Sequence, residues 1–259
     1  MLKSFVFAAT LLVAASSFSQ PIGWWKFDEA SGSLAAASAG GIDGTLVNPL
    51  ARVSGIAGNA VRVESAGLNH VTFGNSFDLV GTSYSMGFWV QTSQGFAATD
   101  QVIVGRHRAT FVSGYFHGMN ANGPYGSQNK AWAYQSSLPG NQPISTSSVN
   151  DGGWHHVMTT FDMGTSLHRI YVDGVLEDTR VAAAMNLANA DFMIGAIFNN
   201  VGTTIGSFTG NVDDLQIYGT ALSSGDVSYL YFNPGQAVPE PMTLAVLGLG
   251  ALALRRRRK

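Results

Sequence analysis

Sixteen carboxylates, six histidines and no cysteine bound the chemistry open to this 259-residue chain. Without cysteine there is no disulfide, no thiolate metal site and no sulfur nucleophile. Hard cations take several oxygen ligands, often carboxylates mixed with loop carbonyls. Asp28, Asp43 and Asp213 lie at loop or strand ends, with Glu29 and Asp214 beside two of them. They are the candidate metal set, with Ca2+ as the expected ion. The competing reading gives Asp28 a turn cap, Asp43 an Asp-Gly turn and Asp213 a place facing solvent. Sugars need exposed aromatic faces with polar neighbours. The stretch 114–134 holds Tyr125, Trp132 and Tyr134 among Asn, Gln and Gly. Tyr125 is the most loop-like of the three, while Trp132 and Tyr134 alternate with alanine and share one face of a strand. These three are the candidate carbohydrate-binding residues. The alternative is that aromatics on a strand fill a core.

Catalysis finds less support. Glycoside hydrolysis needs two carboxylates at a defined separation, and the chain has only Glu29, Glu64, Glu177 and Glu240 as glutamates. Asp213 and Asp214 are consecutive, so they point to opposite faces of a strand. His155 and His156 are adjacent and cannot both face one ion, and His70, His107, His117 and His168 show no ligand spacing. No serine sits in Gly-x-Ser-x-Gly, and the glycine runs lack the lysine and helix of a phosphate loop. A non-enzymatic binding protein is therefore expected. The alternatives are a polysaccharide-active glycoside hydrolase with an unusual site and a purely structural surface protein without a small ligand.

The elements that would carry these residues are strands. In 153–178, Trp154, His156, Met158 and Thr160 share one face and His155, Val157, Thr159 and Phe161 the other. Asp162-Met163-Gly164-Thr165 supplies turn chemistry. Asp173-Gly174 is a strong hairpin dipeptide, because a type I′ turn needs positive φ at both positions. Two hairpins in succession make a three-stranded meander. Further strands are predicted at 22–27, 45–47, 60–63, 70–73, 85–91, 101–105, 115–119, 130–134, 191–195 and 206–218, and a short capped helix at 223–231. No internal repeat appears, so an all-β, antiparallel two-sheet sandwich over 20–232 is expected, followed by a linker at 233–237.

Composition agrees with a compact, turn-rich body, with 31 glycines, 46% hydrophobic and 12% charged residues. Between residues 20 and 236 there are eight Lys and Arg against fifteen Asp and Glu. A body this acidic does not suit nucleic acid, whose phosphates are bound through Lys and Arg. The ends are different. Residues 1–19 carry Lys3, an apolar run at 5–15 and small residues Ser17 and Ser19, the pattern of a secretory signal peptide cut near Ser19. Residues 242–254 are uncharged and 255–259 are all basic. Thirteen apolar residues fall short of the roughly 20 of a straight spanning helix. Snorkelling arginines and local thinning still permit a weak C-terminal transmembrane anchor, with its basic end in the cytoplasm and the domain outside.

The tail, with Val238-Pro239-Glu240-Pro241, a Leu/Gly/Ala-rich segment at 244–254 and a terminal basic run, resembles the PEP-CTERM sorting signal of Gram-negative bacteria. The resemblance covers 238–259. It implies an exosortase-type membrane protease as partner, processing at or near Pro239-Glu240-Pro241, and delivery to the cell surface or its exopolysaccharide matrix. In the body, Gly23-Trp24-Trp25-Lys26-Phe27-Asp28-Glu29-Ala30-Ser31-Gly32, Ile42-Asp43-Gly44-Thr45-Leu46, Ser85-Met86-Gly87-Phe88-Trp89-Val90, Asp151-Gly152-Gly153-Trp154-His155-His156-Val157, Ile170-Tyr171-Val172-Asp173-Gly174-Val175 and Val212-Asp213-Asp214-Leu215-Gln216-Ile217-Tyr218 occur in an order that resembles concanavalin A-like, laminin G-like jelly rolls over about 22–232. That resemblance implies two packed antiparallel sheets and a structural role for Trp154-His155-His156. It also implies an N-terminal loop beside the penultimate strand, so that Asp28 or Glu29, Asp43, and Asp213 or Asp214 converge on one calcium ion. The Glu-x-Asp-x-x-Glu run of the family's glucanases is absent. The expectation is an exported surface or matrix protein that binds extracellular glycan.

Overall fold

The computed structural model describes residues 20–239 except 49, 96–100, 109–112, 120–127, 136–141, 183–184, 187–188, 199–203 and 207. Tyr125, Glu240 and Pro241, the signal segment and the apolar tail thus lie outside the described residues. Among those described, no helix is long and apolar enough to cross a membrane. One compact unit spans Gln20–Val238.

Its strands are β1 (Pro21–Trp25), β2 (Leu34–Ala35), β3 (Ala39–Gly40), β4 (Gly44–Val47), β5 (Ala51–Ser54), β6 (Asn59–Val63), β7 (His70–Thr72), β8 (Tyr84–Gln91), β9 (Gln101–Arg108) and β10 (Ser113–Met119). The series continues with β11 (Lys130–Gln135), β12 (Ile144–Ser148), β13 (Trp154–Asp162), β14 (Leu167–Val172), β15 (Val175–Val181), β16 (Phe192–Ile194), β17 (Ala196–Phe198), β18 (Thr204–Gly206) and β19 (Gly210–Tyr218), before helix α1 (Ser224–Phe232). The first sheet runs β15-β14-β13-β8-β19-β1-β3, with β6 also on β19 and β5 on β6; the second runs β12-β11-β10-β9-β16-β7-β4-β2, with β17 on β9 and β18 on β17. This is the antiparallel two-sheet sandwich that the strand pattern predicts.

The meander forms in the expected register. β13 pairs with β14 from Val157 opposite Val172 to Asp162 opposite Leu167, and β14 turns into β15 through Asp173 and Gly174, with φ of 50° and 77°. Val157 and Phe161 point between the sheets, joining Trp25, Phe73, Phe88 and Phe192 in the main core. Met158 points the other way, into a second cluster where Tyr171, Tyr218, Leu222, Val227 and Leu230 bury one side of α1. The helix starts at a capping box: Ser223 Oγ accepts from the Asp226 amide, and the Asp226 carboxylate accepts from the Ser223 amide. α1 therefore covers part of the outer face of the first sheet. The outer face of the second sheet carries a separate cluster of Val102, Phe116, Trp132 and Ile197.

Two local features depart from simple alternation. Opposite β8, Asp213 pairs with Trp89 but Gln216 pairs with Gly87, so β19 holds one extra residue, with Asp214 at φ 48°. The bulge lets Val212, Leu215 and Ile217 all reach the intersheet core. It replaces the expectation that Asp213 and Asp214 simply face opposite ways. The stretch 233–237, read as a linker, is docked on the body through Gly235 N, which donates to Asp214 Oδ2 (2.8 Å), and Gln236 O, which accepts from Gln216 Nε2 (2.9 Å).

Candidate functional site

Asp28 and Asp213 reach the same turn, while Asp43 does not join them. Asp28 Oδ1 accepts from Asn59 N (2.8 Å), and Asp213 Oδ2 accepts from Ile56 N (2.9 Å) and Ala57 N (3.2 Å). The turn between them, closed by Gly55 N donating to Gly58 O, needs glycine at both ends. A Cβ on Gly58, at φ +87°, would collide with the Asp28 carboxylate, and one on Gly55 with that of Asp213. Asp43 Oδ1 instead accepts from Ala37 N (2.8 Å), next to Ala36 N, which donates to Glu29 Oε1 (2.6 Å). Among the described residues, no three His, Asp or Glu side chains gather closely enough to hold a metal ion.

Asp213 is fully buried and Asp214 nearly so. Burial pushes the Asp213 carboxyl up to about 7, the Asp214 charge adds to the rise, and the amides of Ala57, Asp214 and Ile56 oppose it. Asp214 is raised by burial too, against hydrogen bonds from Trp24, Gln216 and Gly235. Both carboxylates are committed to structure: Asp214 Oδ1 takes Trp24 Nε1 (2.5 Å) and Gln216 Nε2 (3.1 Å). They tie the first strand, the bulge and the C-terminal segment together.

Five of the six histidines are buried. His117 and His168 lie buried between or beside aromatic rings, and burial lowers each to about 3. His107 and His156 are lowered to about 4 by the same cause. His155 alone is raised, because Nδ1 faces Asp173 Oδ2 at 2.9 Å and Nε2 faces Asp151 Oδ1 at 3.1 Å. With both ring nitrogens bound, it pins the 151–153 loop to the β14–β15 turn.

Trp132 and Tyr134 do share a face, the outer face of the second sheet. Phe116 stacks on Tyr134 with ring centres 5.0 Å apart and meets Trp132 edge-on at the same distance. His107 meets both Phe116 and Tyr134 edge-on at 5.0 Å. Trp132 is only 3% exposed, so its indole is packed by protein and offers no open face; Tyr134 is half-buried.

A further site was not singled out from the sequence. A cavity of about 410 Å³ is lined by Arg62, Gln91, Thr92, Gln94, Thr209 and Asn211, with Ser93, Gly152 and Gly210. Register creates it. Asn211 stands opposite Gln91 of β8 on one side and Arg62 of β6 on the other. Their neighbours Val90, Val212 and Val61 point into the core, so alternation sets Arg62, Asn211 and Gln91 in a row on the other face. Gln91 Nε2 donates to Gly152 O (3.0 Å), which orients its amide so that Oε1 accepts from Asn211 Nδ2 (2.8 Å). Asn211 Oδ1 is then left buried without a donor. Thr92 Oγ1 donates to Thr209 O (2.7 Å), and Thr209 N donates to Gln94 Oε1 (2.7 Å), bracing the other wall. Among the lining residues there is no carboxylate, histidine, lysine or tyrosine. Arg62 Nε also donates to Glu64 Oε1 (2.8 Å), so a carboxylate stands beside the row, and the described lining offers a ligand hydrogen-bonding groups.

Comparison with known proteins places this architecture. The family model described as the concanavalin A-like lectin/glucanases superfamily matches residues 65–228, and that of the PEP-CTERM protein-sorting motif matches 237–259. Among curated proteins no match emerges. Similar solved structures include domain 4 of AbnA, a GH43 extracellular arabinanase from Geobacillus stearothermophilus in complex with arabinotriose, with TM-score 0.58 and 21% identity over 82% of this chain and 98% of that one. The binding domain of Paraclostridial Mosquitocidal Protein 1 gives TM-score 0.60 and 11% identity, covering 82% of this chain and 51% of that one. The receptor binding domain of botulinum neurotoxin mosaic serotype C/D gives 0.61 and 16%, covering 83% and 51%. Of these toxin domains the chain spans about half the length, and all three likenesses speak to fold. The two-sheet sandwich and a family match over more than half of its length show that the chain belongs to the concanavalin A-like lectin/glucanases superfamily, with a PEP-CTERM protein-sorting motif at its C-terminus.

Proposed function

We propose that this chain is an exported surface or extracellular-matrix protein whose sandwich binds neutral glycan, without cleaving it, in the cavity between Arg62, Gln91 and Asn211. The observation that carries the reading is the fixed row itself. Asn211 Oδ1 lacks a donor and the half-exposed Arg62 guanidinium beside it is rich in donors. Adjacent sugar hydroxyls supply a donor to the first and an acceptor to the second. An acidic ligand would set its oxygens against Asn211 Oδ1 and enter a body in which acids outnumber bases. Domain 4 of the arabinanase, solved with arabinotriose, supports sugar as a ligand class for such a sandwich. A described lining of amide, hydroxyl and guanidinium groups supports binding over catalysis. Replacing Asn211 with Leu removes the acceptor and is expected to weaken glycan affinity about tenfold or more, a loss of roughly 1.4 kcal/mol, with little change in Tm. Unchanged affinity in a titration of both proteins would remove this cavity from the account.

Sorting completes the reading. An exosortase-type protease of a Gram-negative host recognises Val238-Pro239-Glu240-Pro241, while 242–254 holds the chain transiently in the inner membrane.

The calcium proposal narrows to Asp28 and Asp213, whose carboxylates reach one turn from either side; Asp43 falls outside it. These oxygens are the hard ligands calcium takes, and a bound ion would brace the turn. Millimolar calcium is expected to raise the Tm of the wild type by a few degrees and to leave Asp28→Asn unmoved. No shift in the wild type, or equal shifts in both, contradicts this assignment.

A further inference from the structure

The sorting motif does not begin where the fold ends. Val238, its first residue, is 6% exposed and packs with Met158, Tyr171, Tyr218, Leu222, Val227 and Leu230 on the outer face of the first sheet. The chain leading to it is held at nearly every step. Asn233 Nδ2 donates to Tyr229 O (2.8 Å), Gln236 N to Asn233 O (3.1 Å), and Val238 N to Tyr218 Oη (3.5 Å). Gly235 and Gln236 are bound to Asp214 and Gln216 of the bulged strand. Pro239 is the first exposed residue after this seat.

We propose that the folded body itself sets where its tail is cut, by holding 233–238 as part of the domain and admitting a protease only beyond Val238. A protease binds its substrate as an accessible extended segment, and the rate of cutting a folded chain follows the fraction of time that segment is open. Cutting between 233 and 238 requires Val238 to leave its apolar seat and the bonds to Asp214, Gln216 and Tyr218 to break together. Cutting a few residues beyond Val238 requires none of these. In that reaction one peptide bond breaks: its acyl carbon passes to water, leaving a carboxylate on the body, and the tail departs with a free amine.

The inference rests on the sorting reading only for the identity of the enzyme in the cell, so a broad-specificity protease tests it independently. The full chain is digested under native conditions and the C-terminus of the surviving body is read by mass. The expected body ends at Val238 or later, with ends at 233–237 appearing at least tenfold more slowly. In Val238→Asp the buried charge unseats the segment, and ends at 233–237 are expected at an unchanged near-UV CD spectrum. A wild-type body ending at 233–237 at a comparable rate overturns the proposal, as does a Val238→Asp body that keeps the wild-type end. In the cell, a processed product ending before Val238 overturns it as well. A cellular product that keeps its tail while the digestion holds counts against the sorting enzyme alone.

Discussion

Lowering the pH from 7 to 5 is expected to cost the domain about 2 to 4 kcal/mol of stability, on the scale of roughly 1.4 kcal/mol per group per pH unit. His117 and His168 are held near 3 and His107 and His156 near 4 by burial. Unfolded, each takes up a proton as the pH falls through 6.5; folded, none does until about 4 or 3. The unfolded state therefore binds more protons across that window, and stability falls on acidification. Asp213 works the other way: its folded value near 7 lies above its unfolded value, so its contribution is fully present in acid and is lost as the pH rises through 7. The raised Asp214 and His155 act in the same sense as Asp213. Four lowered groups against three raised ones leave a net loss in acid. Denaturant unfolding at pH 7 and pH 5 measures it. Replacing His168 with Phe, among the rings of Tyr84 and Phe161, should reduce the slope by about one proton, and a flat or inverted wild-type profile contradicts the argument.

Glu240→Ala is expected to abolish processing of the tail, so that the variant keeps its full mass and stays with the membrane fraction while the wild-type body is released. Between Asp226 and Arg255, Glu240 is the sole charged residue. It stands between Pro239 and Pro241, just before the uncharged stretch 242–254, so it is the charge a sorting protease has to recognise there. Equal mass and equal distribution of the two proteins after fractionation would contradict the sorting reading.

Much of the scaffold was legible because its signals are local. In 153–178, alternation set the faces of β13, and Asp173-Gly174 announced the turn that the backbone makes with two positive φ values. The bulge in β19 was not legible. Val212-Asp213-Asp214-Leu215 reads as an ordinary alternating start, and only the pairing with β8 shows that Leu215 turns inward with Val212. β12, Ile-Ser-Thr-Ser-Ser, has no apolar rhythm; it is an edge strand whose amides at Thr146 and Ser147 are taken by the Glu177 carboxylate. The shared face of Trp132 and Tyr134 followed from spacing, but the packing that buries Trp132 comes from Phe116 on a neighbouring strand. The row of Arg62, Gln91 and Asn211 was invisible for the same reason. Each is a lone polar residue at the end of an apolar strand, and they become neighbours only through register between β6, β19 and β8. The pairing of Asp28 with Asp213 was half legible. Both lie in blocks of the family pattern, whereas the 55–59 turn that joins them shows only in the fold.

The most direct measurement is a glycan array on the exported body, run beside a reducing-sugar release assay on every glycan it retains. Retention of neutral glycan, its loss in Asn211→Leu, and no release of reducing ends are the predicted results. Release of sugar would make the protein a hydrolase, and silence of the wild type across the array would leave the sandwich a structural component; either result contradicts a non-catalytic glycan-binding surface protein.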